Sequence, residues 1–133
     1  MTEIAFDVRA SAVADGAFVI SVVGEADLYT APALREEMLG ALAAGAKRLV
    51  VDLSDVTFID STSIGTLVRA ERELRASGGT ISVVANDPNI VRVFRITALD
   101  RLFPIYATRA EAIAALSPPA ADGGRDGRDG SRR

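Results

Sequence analysis

Asp60-Ser61-Thr62-Ser63 sets one carboxylate beside three hydroxyls, directly after the apolar pair Phe58-Ile59 and directly before Ile64-Gly65. Two chemistries suit such a run. Short polar side chains at a helix start accept hydrogen bonds from the free N–H groups of the first turn, which is capping and needs no further role. A serine held rigidly at such a start is also well placed to take a phosphoryl group, which on Ser61 would add about −1.5 to −2 charges and three strong acceptor oxygens. The free N–H groups and the helix dipole tolerate an anion there, so the helix is expected to survive modification. Asp60 repels the added charge. The expected result is a changed docking surface on an intact fold, with any partner seated on it losing affinity.

Other chemistries are poorly supplied. The 133 residues include no histidine and no cysteine, which removes imidazole bases, thiolate nucleophiles, disulfides and the usual zinc ligands. Neither a GxxxxGK[ST] nor a GxGxxG phosphate loop occurs, nor a GxSxG elbow. Asp27, Asp52, Asp55 and Asp60 could hold a divalent cation, as in phospho-acceptor receiver domains of similar length. Those domains need a lysine after the last strand, whereas the single lysine, Lys47, lies between the first helix and the third strand. No enzymatic activity, metal or cofactor is therefore expected.

Fifteen Lys and Arg against eighteen Asp and Glu give a net charge of −3, which supplies no positive field for nucleic acid or anionic lipid. No apolar run approaches the roughly 20 residues of a membrane helix. The N-terminal MTEIAFDVRA carries acids and lacks the apolar stretch of a signal peptide. A cytoplasmic protein without direct nucleic-acid or membrane contact is expected, and the absence of cysteine fits a reducing compartment.

The elements that position these residues follow from periodicity and breakers. Ile4, Phe6 and Val8 alternate with polar or small residues, predicting a strand with one wet face. Asp15-Gly16 predicts a turn into a second strand over Phe18 to Val23, ended by Gly24. Pro32 suits a first helical turn capped by Thr30, and Leu34, Met38, Ala41 and Leu42 recur at helical spacing up to Gly45. Leu49 to Leu53 is almost wholly apolar, as expected of a strand covered on both faces. Asp55–Asp60 reads as a connection, with Phe58 and Ile59 packing it down. Ile64, Leu67, Val68 and Leu74 then form the stripe of an amphipathic helix ending at Gly78-Gly79, and the charge run Arg69–Arg75 forms its solvated face. A buried strand at Ile81–Ala85, a short helix from Pro88, a strand at Leu102–Tyr106 and a helix at Ala107–Leu116 complete the order β-β-α-β-α-β-α-β-α. That order predicts a single α/β domain with a mixed sheet flanked by two layers of helix. Val91, Phe94, Ile96 and Leu99 read either as core or as an exposed patch. From Ser117 the composition turns to Pro, Gly, Arg and Asp with nothing to bury, so 1–116 is expected to fold and 117–133 to be disordered.

The strand Val50-Val51-Asp52-Leu53, the run Ser54 to Thr62, the following Ile64-Gly65 and the upstream Gly24-Glu25-Ala26-Asp27 together resemble bacterial anti-sigma factor antagonists, the single-domain STAS proteins. The resemblance covers residues 4–116 and implies a STAS-like fold. It implies that Ser61 is phosphorylated by a partner anti-sigma factor, a serine kinase that uses ATP. The unphosphorylated antagonist would bind that kinase and free a sigma factor; phosphorylation would release the antagonist, and a separate serine phosphatase would restore it. Partner contacts carry over to Gly24, Glu25, Asp27, Asp60, Ser61, Thr62, Ser63, Ile64 and Gly65, with Thr62 a second candidate acceptor. The family usually has glycine where this chain has Ser63. A side chain there is expected to crowd the acceptor or to offer a competing hydroxyl. The alternative on the same fold is a STAS-type scaffold or ligand-sensing module without a phosphorylation switch.

Overall fold

Alternating apolar residues make the first hairpin, and a glycine turns it. The computed structural model describes residues 6–116. Strands β1 (Asp7–Ala14) and β2 (Ala17–Ala26) pair antiparallel, with Ala14 opposite Ala17 across the turn. Gly16 sits at φ +70 in that turn, a conformation that a Cβ would strain. Phe6, Val8 and Ala10 pack on the core as the alternation predicts. Ile4 and the segment 117–133 lie outside the described residues.

The chain continues through α1 (Ala31–Ala43), β3 (Arg48–Ile59), α2 (Ser61–Ala76), β4 (Thr80–Val84), α3 (Pro88–Ile96), β5 (Ile105–Tyr106) and α4 (Arg109–Ala114). The sheet order is β1-β2-β3-β4-β5, with β2 through β5 mutually parallel. The expected mixed sheet and element order are present.

Each inner strand feeds two cores, because successive side chains point to opposite faces. Ile20, Val22, Leu49, Val51, Ile81 and Val83 face one way and meet Leu34 and Met38 of α1, Leu67 and Leu74 of α2, and Ile90 and Phe94 of α3. Val19, Val50 and Val84 face the other way, where among the described residues Ala112 and Ile113 of α4, Tyr106 of β5 and Leu116 pack on them. The sheet is flanked by helices on both faces as predicted, the second layer being the single short helix α4.

Several boundaries differ from the sequence reading. β2 does not end at Gly24, which pairs with Val56 while the strand runs on to Ala26. β3 runs on through Asp55–Ile59, which had read as a connection; it keeps pairing with β2 through two irregularities, so that Ser21, Val23, Gly24, Glu25 and Ala26 oppose Asp52, Asp55, Val56, Phe58 and Ile59. β5 is only two residues long. A 3-10 turn at Leu99–Arg101 precedes it, Phe103 is buried edge-on against Phe94, and Pro104 offers the sheet only its carbonyl, which accepts from the Val83 amide at 2.9 Å. α4 starts two residues later than predicted, where the Thr108 hydroxyl caps the Glu111 amide at 3.1 Å. Phe94 belongs to the core while Ile96 is exposed, which divides the four apolar residues of that region.

At the far end of α2 the packing is tight. A Cβ on Gly79 would stand 2.6 Å from the Lys47 carbonyl oxygen and 2.8 Å from Leu74 Cδ2, so only glycine fits between helix end and strand start.

Candidate functional site

β2 and β3 deliver two loops to the same edge of the sheet. Glu25 opposes Phe58 and Ala26 opposes Ile59, and the Asp60 amide then donates to the Ala26 carbonyl at 3.0 Å. Asp60 is extended and caps α2: its Oδ1 accepts from the Ser63 amide at 3.0 Å, and its carbonyl accepts from the Ile64 amide at 3.0 Å. The capping chemistry read from the sequence is therefore present, and Asp60 alone performs it.

The three hydroxyls separate, because consecutive helical residues are about 100° apart around the axis. Ser61 and Thr62 are exposed, and neither side chain has a hydrogen-bond partner among the described residues. Ser63 is fully buried, and its Oγ donates to the Asp27 carbonyl at 3.5 Å. This corrects the expectation for Ser63: its side chain turns inward to the neighbouring loop, where it neither crowds Ser61 nor offers a competing surface hydroxyl.

The neighbouring loop, between β2 and α1, is held by two short side chains. Asp27 Oδ1 accepts from the amides of Tyr29 at 2.9 Å and Thr30 at 3.1 Å. Thr30 Oγ1 accepts from the Asp27 amide at 2.8 Å and reaches the Glu25 carbonyl at 2.9 Å. Thr30 occupies the predicted cap position of α1, but its hydroxyl is engaged backwards in the loop and does not cap the helix. The tip carries Leu28 and Tyr29, 60% and 87% exposed. Phe58 is 49% exposed, so Ile59 alone packs inward where both had been expected to. The sequence reading passed over Leu28 and Tyr29, although two apolar residues inside a polar turn were a signal.

The remaining expected contact residues fall on two levels. Glu25 and Gly65 are exposed, and a Cβ on Gly65 would meet open space. Gly24 and Ile64 are buried; Gly24 pairs with Val56 at φ +101 and so shapes β2 beneath the surface. From Gly24 to Leu34 and from Leu49 to Val68 every charged residue is acidic.

Asp52 is one of these acids, but it faces α4. Its carboxylate accepts from the Ser54 amide at 2.9 Å, the Ser54 hydroxyl at 2.6 Å and Arg109 Nε at 2.7 Å. Burial opposes its ionisation, yet the two Ser54 bonds and the Arg109 guanidinium outweigh burial and hold the carboxyl below its ordinary range. Asp52 therefore does not converge with Asp60, and among the described residues no three potential ligands gather to hold a metal ion. No helix among the described residues is long and apolar enough to cross a membrane.

A profile of the STAS domain matches residues 9–112. The chain belongs to the STAS domain family. Its relatives include the anti-sigma-B factor antagonist of Bacillus subtilis, 33% identical over 88 residues that cover 66% of this chain and 80% of that protein. Among solved STAS structures, an anti-sigma factor antagonist from Mycobacterium paratuberculosis is similar at TM-score 0.78 and 33% identity, over 86% of this chain and 96% of that one. The Bacillus anti-sigma factor antagonist SpoIIAA, solved unphosphorylated and phosphorylated, is similar at TM-scores of 0.71 and 0.67 and 25% identity, over 84% of this chain and 96% and 99% of those. The STAS match takes in both loops of the candidate edge, from Asp27 to Thr30 and from Asp60 to Gly65.

Proposed function

We propose that this STAS protein is a cytoplasmic anti-sigma factor antagonist that works by switching partners. Unphosphorylated, it binds an anti-sigma factor serine kinase, which then lets go of its sigma factor. In that complex the Ser61 Oγ attacks the γ-phosphorus of the kinase's ATP. The new Oγ–P bond forms as the bond to the β–γ bridging oxygen breaks, ADP leaves and the hydroxyl proton is released. A serine phosphatase reverses the ester with water, yielding inorganic phosphate and Ser61.

The observation that carries this reading is the Ser61 hydroxyl, exposed and unengaged at the first turn of α2 beside a carboxylate already committed to capping. An uncharged hydroxyl is easily covered by a partner; a phosphate dianion must be stripped of water before the same contact can close. Glu25, Asp27 and Asp60 add like charge around it. The names of the relatives support the same reading.

The test is to incubate the full chain with each anti-sigma serine kinase of its own genome and ATP, and to map the product by mass spectrometry. One phosphate on Ser61, lost in Ser61→Ala and kept in Thr62→Val, is expected. Phosphate on Thr62 alone would move the acceptor. No phosphate with any kinase would leave a scaffold or ligand-sensing module.

A further inference from the structure

Six large apolar side chains stand exposed among the described residues, and three of them, Leu28, Tyr29 and Phe58, share the edge that carries Ser61. Leu28 and Tyr29 form the tip of the β2–α1 loop. Phe58 lies opposite Glu25 in the β2–β3 ladder, two residues short of that loop. None of the three packs against either core.

The backbone beneath them is fixed in advance. Asp27 Oδ1 holds the amides of Tyr29 and Thr30, and Thr30 Oγ1 takes the amide of Asp27. A partner has little loop to order on binding, which lowers the entropic cost of association. Aromatic side chains presented in this way concentrate binding energy at interfaces, since they bring large area with few torsions to freeze.

Charge decides what can cover them. The apolar residues are flanked by Glu25, Asp27, Asp55 and Asp60, and the two segments hold no cation between Gly24 and Leu34 or between Leu49 and Val68. A nucleic acid or an anionic bilayer would meet like charge here. A protein socket that is apolar at its centre and lined by arginine or lysine at its rim matches both features.

We infer that Leu28, Tyr29 and Phe58 are the anchor by which the anti-sigma kinase recognises this chain, inserted in an apolar socket with a basic rim, and that they set which kinase it answers to. The inference rests on the proposed antagonist function and divides the labour of the edge. Ser61 gates the complex, and the three apolar residues choose the partner.

Calorimetric titration of the full chain against the kinase that phosphorylates Ser61, loaded with ADP to hold the chemistry off, tests this. Tyr29→Ala and Phe58→Ala should each weaken binding at least tenfold and Leu28→Ala several-fold. Val13→Ala and Ile96→Ala, which shorten exposed apolar side chains elsewhere, should stay within twofold. Glu25→Lys should weaken binding several-fold. Circular dichroism should show every variant folded. Anchor variants within twofold of wild type, while Ser61→Asp still weakens binding, would overturn the anchor and leave the switch standing. Equal weakening by Val13→Ala and Ile96→Ala would overturn it too, and tighter binding by Glu25→Lys would remove the basic rim. If no kinase binds or phosphorylates the wild type, both readings fall together.

Discussion

Where β2, β3 and β4 begin, backbone clasps backbone: the Gly16 carbonyl accepts from the amides of Lys47 at 2.7 Å and Arg48 at 2.9 Å, and the Lys47 carbonyl accepts from Thr80 at 2.9 Å. Arg48 adds a clamp from its guanidinium to the carbonyls of Asp15 and Leu116, at 2.7 and 2.9 Å. Where β2 and β3 end, short side chains hold the loops instead, and two hydroxyls and two aromatic rings are left to solvent. Polar side chains at the second edge satisfy the backbone without covering the surface, so exposed apolar and hydroxyl side chains can stand there at little expense in stability. At the first edge the backbone bonds themselves set the spacing between elements, and a Cβ on Gly79 has no room.

The sharpest way to break this contrast is Gly79→Ala. Its Cβ would press on the Lys47 carbonyl, and a loss of about 1–3 kcal/mol is expected in denaturant unfolding, with kinase affinity of the folded protein unchanged. Wild-type stability in this variant would mean that the clasp is looser than its geometry. At the other edge, Ser61→Asp should reduce kinase affinity at least tenfold, about 1.4 kcal/mol, while its unfolding midpoint stays near wild type. Asp60→Ala should cost about 1 kcal/mol of stability, the usual value of one helix cap, measured by thermal unfolding; a larger loss would show that the recognition edge also carries the fold.

The smallest effect is on acid stability. Asp52 is held below its ordinary range in the folded chain, so the stability it contributes is fully present above its unfolded value of about 3.9 and is lost as pH falls through the lower folded value. Asp52→Asn should flatten that part of the acid limb in unfolding curves recorded below pH 4, and an unchanged limb would place the acid sensitivity elsewhere.

Much of the fold was legible because strands, helices and breakers agreed locally. The hairpin followed from alternation around Asp15-Gly16, α2 from its apolar stripe, and the element order from the Gly and Pro residues between them. The second half of β3 was hidden because Leu53, Val56 and Ile59 are the buried residues there, three apart, and a spacing of three is not the signature of a strand. Each irregularity against β2 adds one residue and converts an inward period of two into three. At the candidate site the Asp60 cap and the exposed position of Ser61 at the helix start were legible, since residue type suffices for both. Ser63 required the helical register: it lies four residues before Leu67 on the buried stripe of α2, so its hydroxyl had to point inward. Tyr29 and Phe58 could not be placed by periodicity, since the exposure of an apolar side chain in a loop or at a strand end depends on what else reaches it.

The two irregularities of β3 also make its length a determinant. Thr57 is the extra residue of the second irregularity, so its deletion would leave Glu25 opposite Phe58 and Ala26 opposite Ile59, with Phe58 still outward and Ile59 still inward. A residue inserted between Phe58 and Ile59, where the ladder is regular, would instead turn Ile59 out to solvent and displace the proposed acceptor by about 3.3 Å, with every side chain of the Asp60–Gly65 segment still intact. An insertion between Phe58 and Ile59 should therefore be tolerated less well than deletion of Thr57, a distinction that a scan of single-residue indels would read directly.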